Sequence, residues 1–247
     1  MFNKLLIGVL LPGAISLPAL AGADFIEGDN TFAGEAELGA TLTTGNTDTS
    51  SLKGRLGLKH ELGNWENQYV LEALYKEDTD VVTAERYFAG AQGNYRFDDD
   101  DYLFANSNYE QDPFTGYDYK FTAAAGYGHR FVDTGKTIFD VEIGPGYQYQ
   151  RLDSEQAQLL GYSSDASVVA HGVMNFETEI SDSSKFRQLV VADYGDKLEA
   201  RSETSLTASI IGALAMKFAV VVRYNSEPLE GKKSTDTETN MTLLYAF

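Results

Sequence analysis

Nearly the whole chain alternates. From Thr31 onward, about twelve stretches place apolar side chains at every second position and charged, polar or small ones between them. Each stretch is near the roughly 10 residues that a tilted membrane-crossing strand needs. Because side chains along a strand point to opposite faces in turn, such a chain builds sheets with one apolar wall and one charged wall. A soluble sandwich buries the apolar wall, whereas a membrane barrel turns it to lipid.

Residues 117–131 show the pattern most clearly. Tyr119, Phe121, Ala123, Ala125, Tyr127 and Phe131 oppose Asp118, Lys120, Thr122, Gly126, Gly128 and Arg130. Similar alternation runs through 31–43, 51–60, 65–76, 83–97, 137–150, 165–178, 185–194, 201–211, 214–225 and 235–247, while 102–109 carries an aromatic on both faces and leaves its register open. Pro145 lacks a ladder donor, so a bulge or kink is expected at Gly144-Pro145-Gly146. Connections alternate in length: 62–64, 98–101, 132–136, 181–184 and 212–213 are short, and 77–83, 151–164 and 226–234 are longer and acidic. Short turns at one rim and long loops at the other fit a single closed antiparallel barrel of about 12 strands, within a range of 10 to 14.

The two ends favour lipid. Met241, Leu243, Tyr245 and Phe247 share one face of the last strand, which resembles the terminal strand by which outer-membrane barrels are recognised for assembly. At the other end, Lys4, an apolar run broken by Pro12 and Pro18, and Ala19-Leu20-Ala21 read as a signal peptide over 1–21, with the barrel over 22–247. Tyrosine and phenylalanine number 15 and 14 against one Trp, a mix that suits aromatic girdles at two interfaces. With 37 acidic against 19 basic residues, nucleic acid is excluded as a partner, and the lack of cysteine excludes disulfides and thiol chemistry.

Inside such a barrel the charges are balanced. The inward faces hold ten acids, Glu35, Glu37, Glu66, Glu72, Asp118, Asp140, Glu142, Glu177, Glu203 and Glu238, and eleven bases, Lys53, Arg55, Lys59, Lys76, Arg86, Arg96, Lys120, Arg130, Arg187, Lys217 and Arg223. These, with His171, are the lumen candidates. Opposite charges so placed stabilise a packed interior or line a narrow polar pore. Small inward residues on the last strand, Asn240, Thr242 and Ala246, are expected to leave space beside a ladder in which Glu35 and Glu37 face Lys53, Arg55 and Lys59.

Catalytic signals are thin. His60 and His129 fall on outward registers, and His171 with Ser167 is the best base and nucleophile pair on offer. No hydrolase, zinc-protease or phosphate-loop motif is present, so no enzyme activity, cofactor or metal is assigned. Glu77, Asp78 and Asp80, and Asp193, Asp196 and Glu199, are acidic groups able to bind calcium or magnesium, with solvated loops as the simpler reading.

Four short stretches, in this order, carry a family resemblance. They are Thr43-Thr44-Gly45-Asn46-Thr47-Asp48 with the basic strand after it, Asp112-Pro113-Phe114-Thr115-Gly116-Tyr117-Asp118 leading to Gly126-Tyr127-Gly128, Gly144-Pro145-Gly146-Tyr147, and Pro228 through Gly231-Lys232-Lys233-Ser234 to Thr237. With them the chain resembles the YdiY-like family of salt-induced outer membrane proteins, a domain of unknown function, over nearly all its mature length. Pro113 replaces an expected basic or polar residue, and Pro228 stands alone where a pair is expected. The resemblance implies an outer-membrane barrel linked to salt or acid stress, with no activity assigned. The residues leave three readings open: a narrow channel for ions or small solutes, a barrel enzyme acting on lipid or lipopolysaccharide, and a structural or ligand-binding envelope protein. The expected surroundings are the Gram-negative outer membrane after export, its lipid and lipopolysaccharide, and the barrel-assembly machinery acting on the strand that ends in Phe247. A monomer is expected.

Overall fold

A computed structural model describes residues 32–43 and 49–247. The signal peptide and the first turn expected at 44–48 lie outside the described residues. Twelve antiparallel strands close into one barrel: β1 (Phe32–Thr43), β2 (Thr49–Leu62), β3 (Trp65–Asp78), β4 (Val81–Arg96), β5 (Asp101–Asp112), β6 (Tyr117–Asp133), β7 (Thr137–Leu152), β8 (Ser164–Ser181), β9 (Ser184–Tyr194), β10 (Leu198–Ile211), β11 (Leu214–Asn225) and β12 (Thr235–Ala246). Each pairs with its sequence neighbours, and β12 returns to β1 with Glu35 opposite Ala246 and Leu38 opposite Leu243. Closure leaves no edge strand, so the sheet's backbone groups are satisfied within the wall.

The outward rows are exposed and apolar, as in β11 with Met216, Phe218 and Tyr224 and in β12 with Met241, Leu243 and Tyr245. Such a belt is unfavourable in water and favourable in hydrocarbon. Aromatic contacts band it at two levels. Phe131, Phe139, Phe176 and Phe186 follow one another at centroid spacings of 5.7, 6.4 and 6.3 Å near the rim that carries the C-terminus. Tyr109, Tyr119 and Tyr149 do the same at 5.6 and 6.0 Å near the opposite, loop-bearing rim.

Turn chemistry departs from expectation in places. The 77–83 stretch is mostly strand, because Thr79 and Asp80 both take positive φ, 50° and 63°, and make a two-residue hairpin turn there. The 151–164 loop holds a short helix, α1 (Ser154–Leu160), started by Asp153 accepting from Gln156 N–H and ended by Gly161 at φ 78°. Register shifts sit near the rims, at Glu110/Asp112, Tyr117/Tyr119 and Arg130/Val132 among others. The one at Tyr117/Tyr119 sends Tyr117 inward and leaves Asp118 exposed at the rim, so Asp118 is not a lumen residue.

No bulge forms at Pro145. Ala124 pairs with Gly146 and Tyr127 with Ile143 in one unbroken register, and Pro145 itself faces Ala170 of β8. Two inward glycines replace the bulge: a Cβ on Gly126 would meet Gly144 Cα at 2.6 Å, and one on Gly144 would meet Gly126 Cα at 2.7 Å. The two backbones approach more closely than any side chain allows, which accommodates the proline without a register shift.

Candidate functional site: the barrel lumen

The interior is lopsided. On the β11, β12, β1 and β2 side it is filled by a charge network. Glu37 accepts from Arg55 Nη1 at 2.8 Å, Lys217 Nζ at 3.0 Å and Thr242 Oγ1 at 3.1 Å. Lys217 also reaches Glu203 at 3.1 Å. Glu238 receives Lys53 at 3.2 Å, Arg86 at 2.9 Å and Arg223 at 3.4 Å, and Arg86 bridges on to Glu72 at 2.9 Å. These contacts cross the barrel, since Arg86 is on β4 and Glu238 on β12.

The expected ladder is therefore only partly made. Arg55 bonds both Glu35 and Glu37, but Lys53 turns to Glu238 and Glu72 instead. Nor is there space beside β12, because Thr242 is buried against Glu37 and inward Leu244 packs on Ala215.

The space lies mostly away from β1 and β12. A cavity of about 650 Å³ is lined from the terminal rim, by Lys59, Glu66 and Arg96, to the loop rim, by Leu229, Lys232 and Ser234. Of the twenty-two lumen candidates, Glu35, Arg55, Lys59, Glu66, Glu72, Arg86, Arg96, Lys120, Arg130, Asp140, Glu142, His171, Glu177, Arg187, Glu203 and Arg223 line it. Glu37, Lys53 and Lys217 do not, being buried in the seam network. Among the described residues the lining carries eleven acidic and eleven basic side chains. Most are tied in pairs, such as Arg96 with Glu66 at 2.9 Å and Arg130 with Asp140 at 2.8 Å.

Near the loop rim, Glu199 gathers Lys120 and Lys197 at 3.0 Å, Gln148 at 3.0 Å and Gln150 at 3.1 Å. Burial opposes the charge on Lys197, yet the Glu199 carboxylate and the Tyr117 hydroxyl oxygen hold its pKa above the usual lysine value. Asp193 and Glu199 both face inward, so they do not form a loop metal cluster with Asp196. Lys232 donates to the Phe114 carbonyl at 2.9 Å, drawing the 226–234 loop over this mouth.

The β4 to β8 wall is built differently. Inward Gly126, Gly128, Gly144 and Gly146 hollow it, and larger side chains lean into the hollow. Tyr102 from β5 lies across Gly128, where any Cβ would strike its ring, and donates to Glu142 Oε1 at 2.9 Å. Tyr102 and Phe104 are buried, which settles the open register of β5. His171 is 2% exposed; its Nδ1 lies 2.7 Å from Asp193 Oδ1 and its Nε2 3.1 Å from Asn106 Nδ2. Its polar contacts are thus with Asp193 and Asn106, not with Ser167. His129, on the outer wall, bonds Asp101 at 2.6 Å.

Comparison with known proteins places this geometry. Residues 36–247 match the model of a protein family described as protein of unknown function, DUF481. The chain belongs to the DUF481 family. It is 28% identical over 223 residues to the uncharacterized protein YdiY of Escherichia coli strain K12, covering 87% of this chain and 83% of that one. Among solved structures it is similar to the NanC porin, with a TM-score of 0.53, 8% identity, and 87% of this chain and 98% of that one covered. An outer membrane channel from Pseudomonas putida F1 aligns at a TM-score of 0.49 and 10% identity over 87% and 95% of the two chains. The NanC likeness shows a shared barrel fold.

Within this DUF481 chain, two of the short stretches noted in the sequence acquire a physical reason. Gly126-Tyr127-Gly128 and Gly144-Pro145-Gly146-Tyr147 put glycine inward and tyrosine outward, supplying the hollow and the lipid-facing rings at once. Sequence reasoning missed Tyr102, Asn106 and Lys197 and placed Glu199 in an acidic loop rather than in the lumen. For Glu199 a signal existed, since the period of two through Arg201 and Glu203 extends back to it.

Proposed function

We propose that this DUF481 protein is a narrow outer-membrane channel for ions or small polar solutes. One observation carries this: the cavity is lined by residues of both rims, and its lining is charged and balanced in sign. A wall of paired charges holds water at a diameter that an apolar wall would dewet, and balanced signs give weak ion selectivity. The apolar outer belt between two aromatic bands supports residence in a bilayer. Export by the 1–21 segment, assembly through the strand ending in Phe247, contact with lipopolysaccharide, a monomeric state and a role in salt or acid stress belong to the same reading. A channel is favoured over an enzyme because the best candidate base, His171, is bonded between Asp193 and Asn106 rather than to a nucleophile.

Planar-bilayer recording of refolded protein is the test. Discrete conductance steps are expected, with a small reversal potential in a salt gradient. A protein that shows heat-modifiable migration, and so is folded, but never conducts would reject the channel in favour of a sealed barrel.

A further inference from the structure

Glu142 stands apart from the other buried carboxylates of the interior. Glu37, Glu72, Glu199, Glu203 and Glu238 each hold a lysine or arginine at 2.9–3.1 Å. Glu142 is just as buried, at 7% exposed, yet among the described residues it makes no ion pair with a lysine or arginine. Its Oε1 receives the Tyr102 hydroxyl and Gln92 Nε2, both at 2.9 Å, and its Oε2 is buried without a hydrogen-bond partner.

The charged groups on the surrounding strands are already engaged. Arg130 on β6 is held by Asp140, its neighbour on β7, at 2.8 Å. Arg96 on β4 lies 5.7 Å over the Tyr102 ring and is bonded to Glu66 at 2.9 Å. His171 on β8 is held by Asp193. What remains nearby is oxygen: Asn106, the register partner of Gln92, also has a buried Oδ1 with no partner. A buried carboxylate with no counter-charge is costly, and the cost is relieved by a positive charge arriving from the cavity that Glu142 and Asn106 both line.

We propose that Glu142 is the post of a binding site for one small monovalent cation, with Asn106 Oδ1 as the neighbouring free acceptor. Oxygen donors select hard ions, and a single carboxylate suits one positive charge where divalent sites gather several. This rests on the channel reading only in that the ion reaches Glu142 from the lumen; binding does not require conduction.

The test measures the unfolding midpoint of the full folded protein in detergent while sodium chloride replaces N-methylglucamine chloride at constant ionic strength. The midpoint is expected to rise with sodium in the parent. Glu142→Gln should lose that rise, since its amide supplies the missing donor, while Glu66→Gln at the terminal rim should keep it. No sodium dependence in the parent, as for a protonated Glu142, overturns the site, and so does an equal rise in Glu142→Gln. Should Glu142→Gln not fold, Asn106→Ala with a weakened rise supports the site, and an unchanged rise counts against it. Sodium-23 line broadening by the parent, relieved by potassium, is the direct reading, and its absence refutes binding. A sodium shift without conductance keeps this site and sinks the channel; conductance without a sodium shift does the reverse.

Discussion

Arg86→Met tests whether the seam network holds the barrel closed. Arg86 bridges Glu72 and Glu238, each at 2.9 Å, and so ties β4 to β3 and to β12 across the interior. Removing one partner of a buried ion pair costs about 3–5 kcal/mol when the other charge is left alone. Here it is not: Lys53 at 3.2 Å and Arg223 at 3.4 Å remain on Glu238, and Lys53 at 3.9 Å remains near Glu72. The loss should therefore fall to about 2–3 kcal/mol, with Glu72 the poorer-served carboxylate. Urea unfolding of protein refolded into lipid vesicles would measure it. Glu72→Gln in the Arg86→Met background should recover part of the loss, because it removes the stranded charge. Arg86→Met within about 0.5 kcal/mol of the parent, the range of an uncoupled surface change, would show that the network is not what closes the seam.

Three further outcomes are expected. Ala123→Arg puts a charge on the lipid face of β6 and should cost about 2–4 kcal/mol, while Thr122→Arg, which lines the cavity, should be tolerated; equal refolding yields would mean the register is wrong. Gly126→Ala should destabilise by about 1–3 kcal/mol or more because its Cβ meets only backbone, whereas Gly54→Ala, with nothing within 4 Å, should be neutral or stabilising in the same vesicle titration. Lys197 has a raised pKa, so its stabilisation is complete below the unfolded value of about 10.4 and is lost as pH rises through the higher folded value. The stability gap between the parent and Lys197→Met should thus be flat from pH 7 to about 10 and narrow above that; a gap closing below pH 9 would contradict the assignment.

The wall of this barrel was legible because each strand reports its register locally: a period of two fixes which side chains meet lipid, whatever the neighbours do. The lumen was less so. Which inward residues fill it and which leave room depends on contacts between strands far apart in sequence, such as Arg86 with Glu238, and no local pattern encodes those. The expected space beside β12 failed for this reason, since Asn240 and Thr242 are small but bond Glu238 and Glu37, on which Arg86, Arg55 and Lys217 converge. β5 was ambiguous because its aromatics choose sides by where β6 has glycine, a fact about the partner strand. The turn at Thr79-Asp80 was missed because acidic residues read as loop even where positive φ makes a tight hairpin.

The lopsided lumen follows from how a barrel must close. Eleven of the strand junctions join strands consecutive in the chain, but β1 and β12 meet without being consecutive. Their backbone bonds include Gly34 N–H to Phe247 C=O at 2.7 Å and Phe247 N–H to Gly34 C=O at 2.8 Å. Gly34 is suited to this because a Cβ there would strike the Phe247 ring. Inside the same junction, Glu37 on β1 is fastened to Thr242 on β12 and Lys217 on β11, and Glu238 on β12 to Lys53 on β2 and Arg86 on β4. Long charged side chains are thus concentrated where the chain lacks a covalent link. The cavity, by contrast, takes all of its lining but Glu35 and Asp236 from β2 to β11 and the loops. The β1–β12 junction and most of the cavity wall are therefore built by different strands, and a bulky substitution at a lining position away from the junction, such as Thr122→Phe, should shrink the cavity while leaving the seam intact.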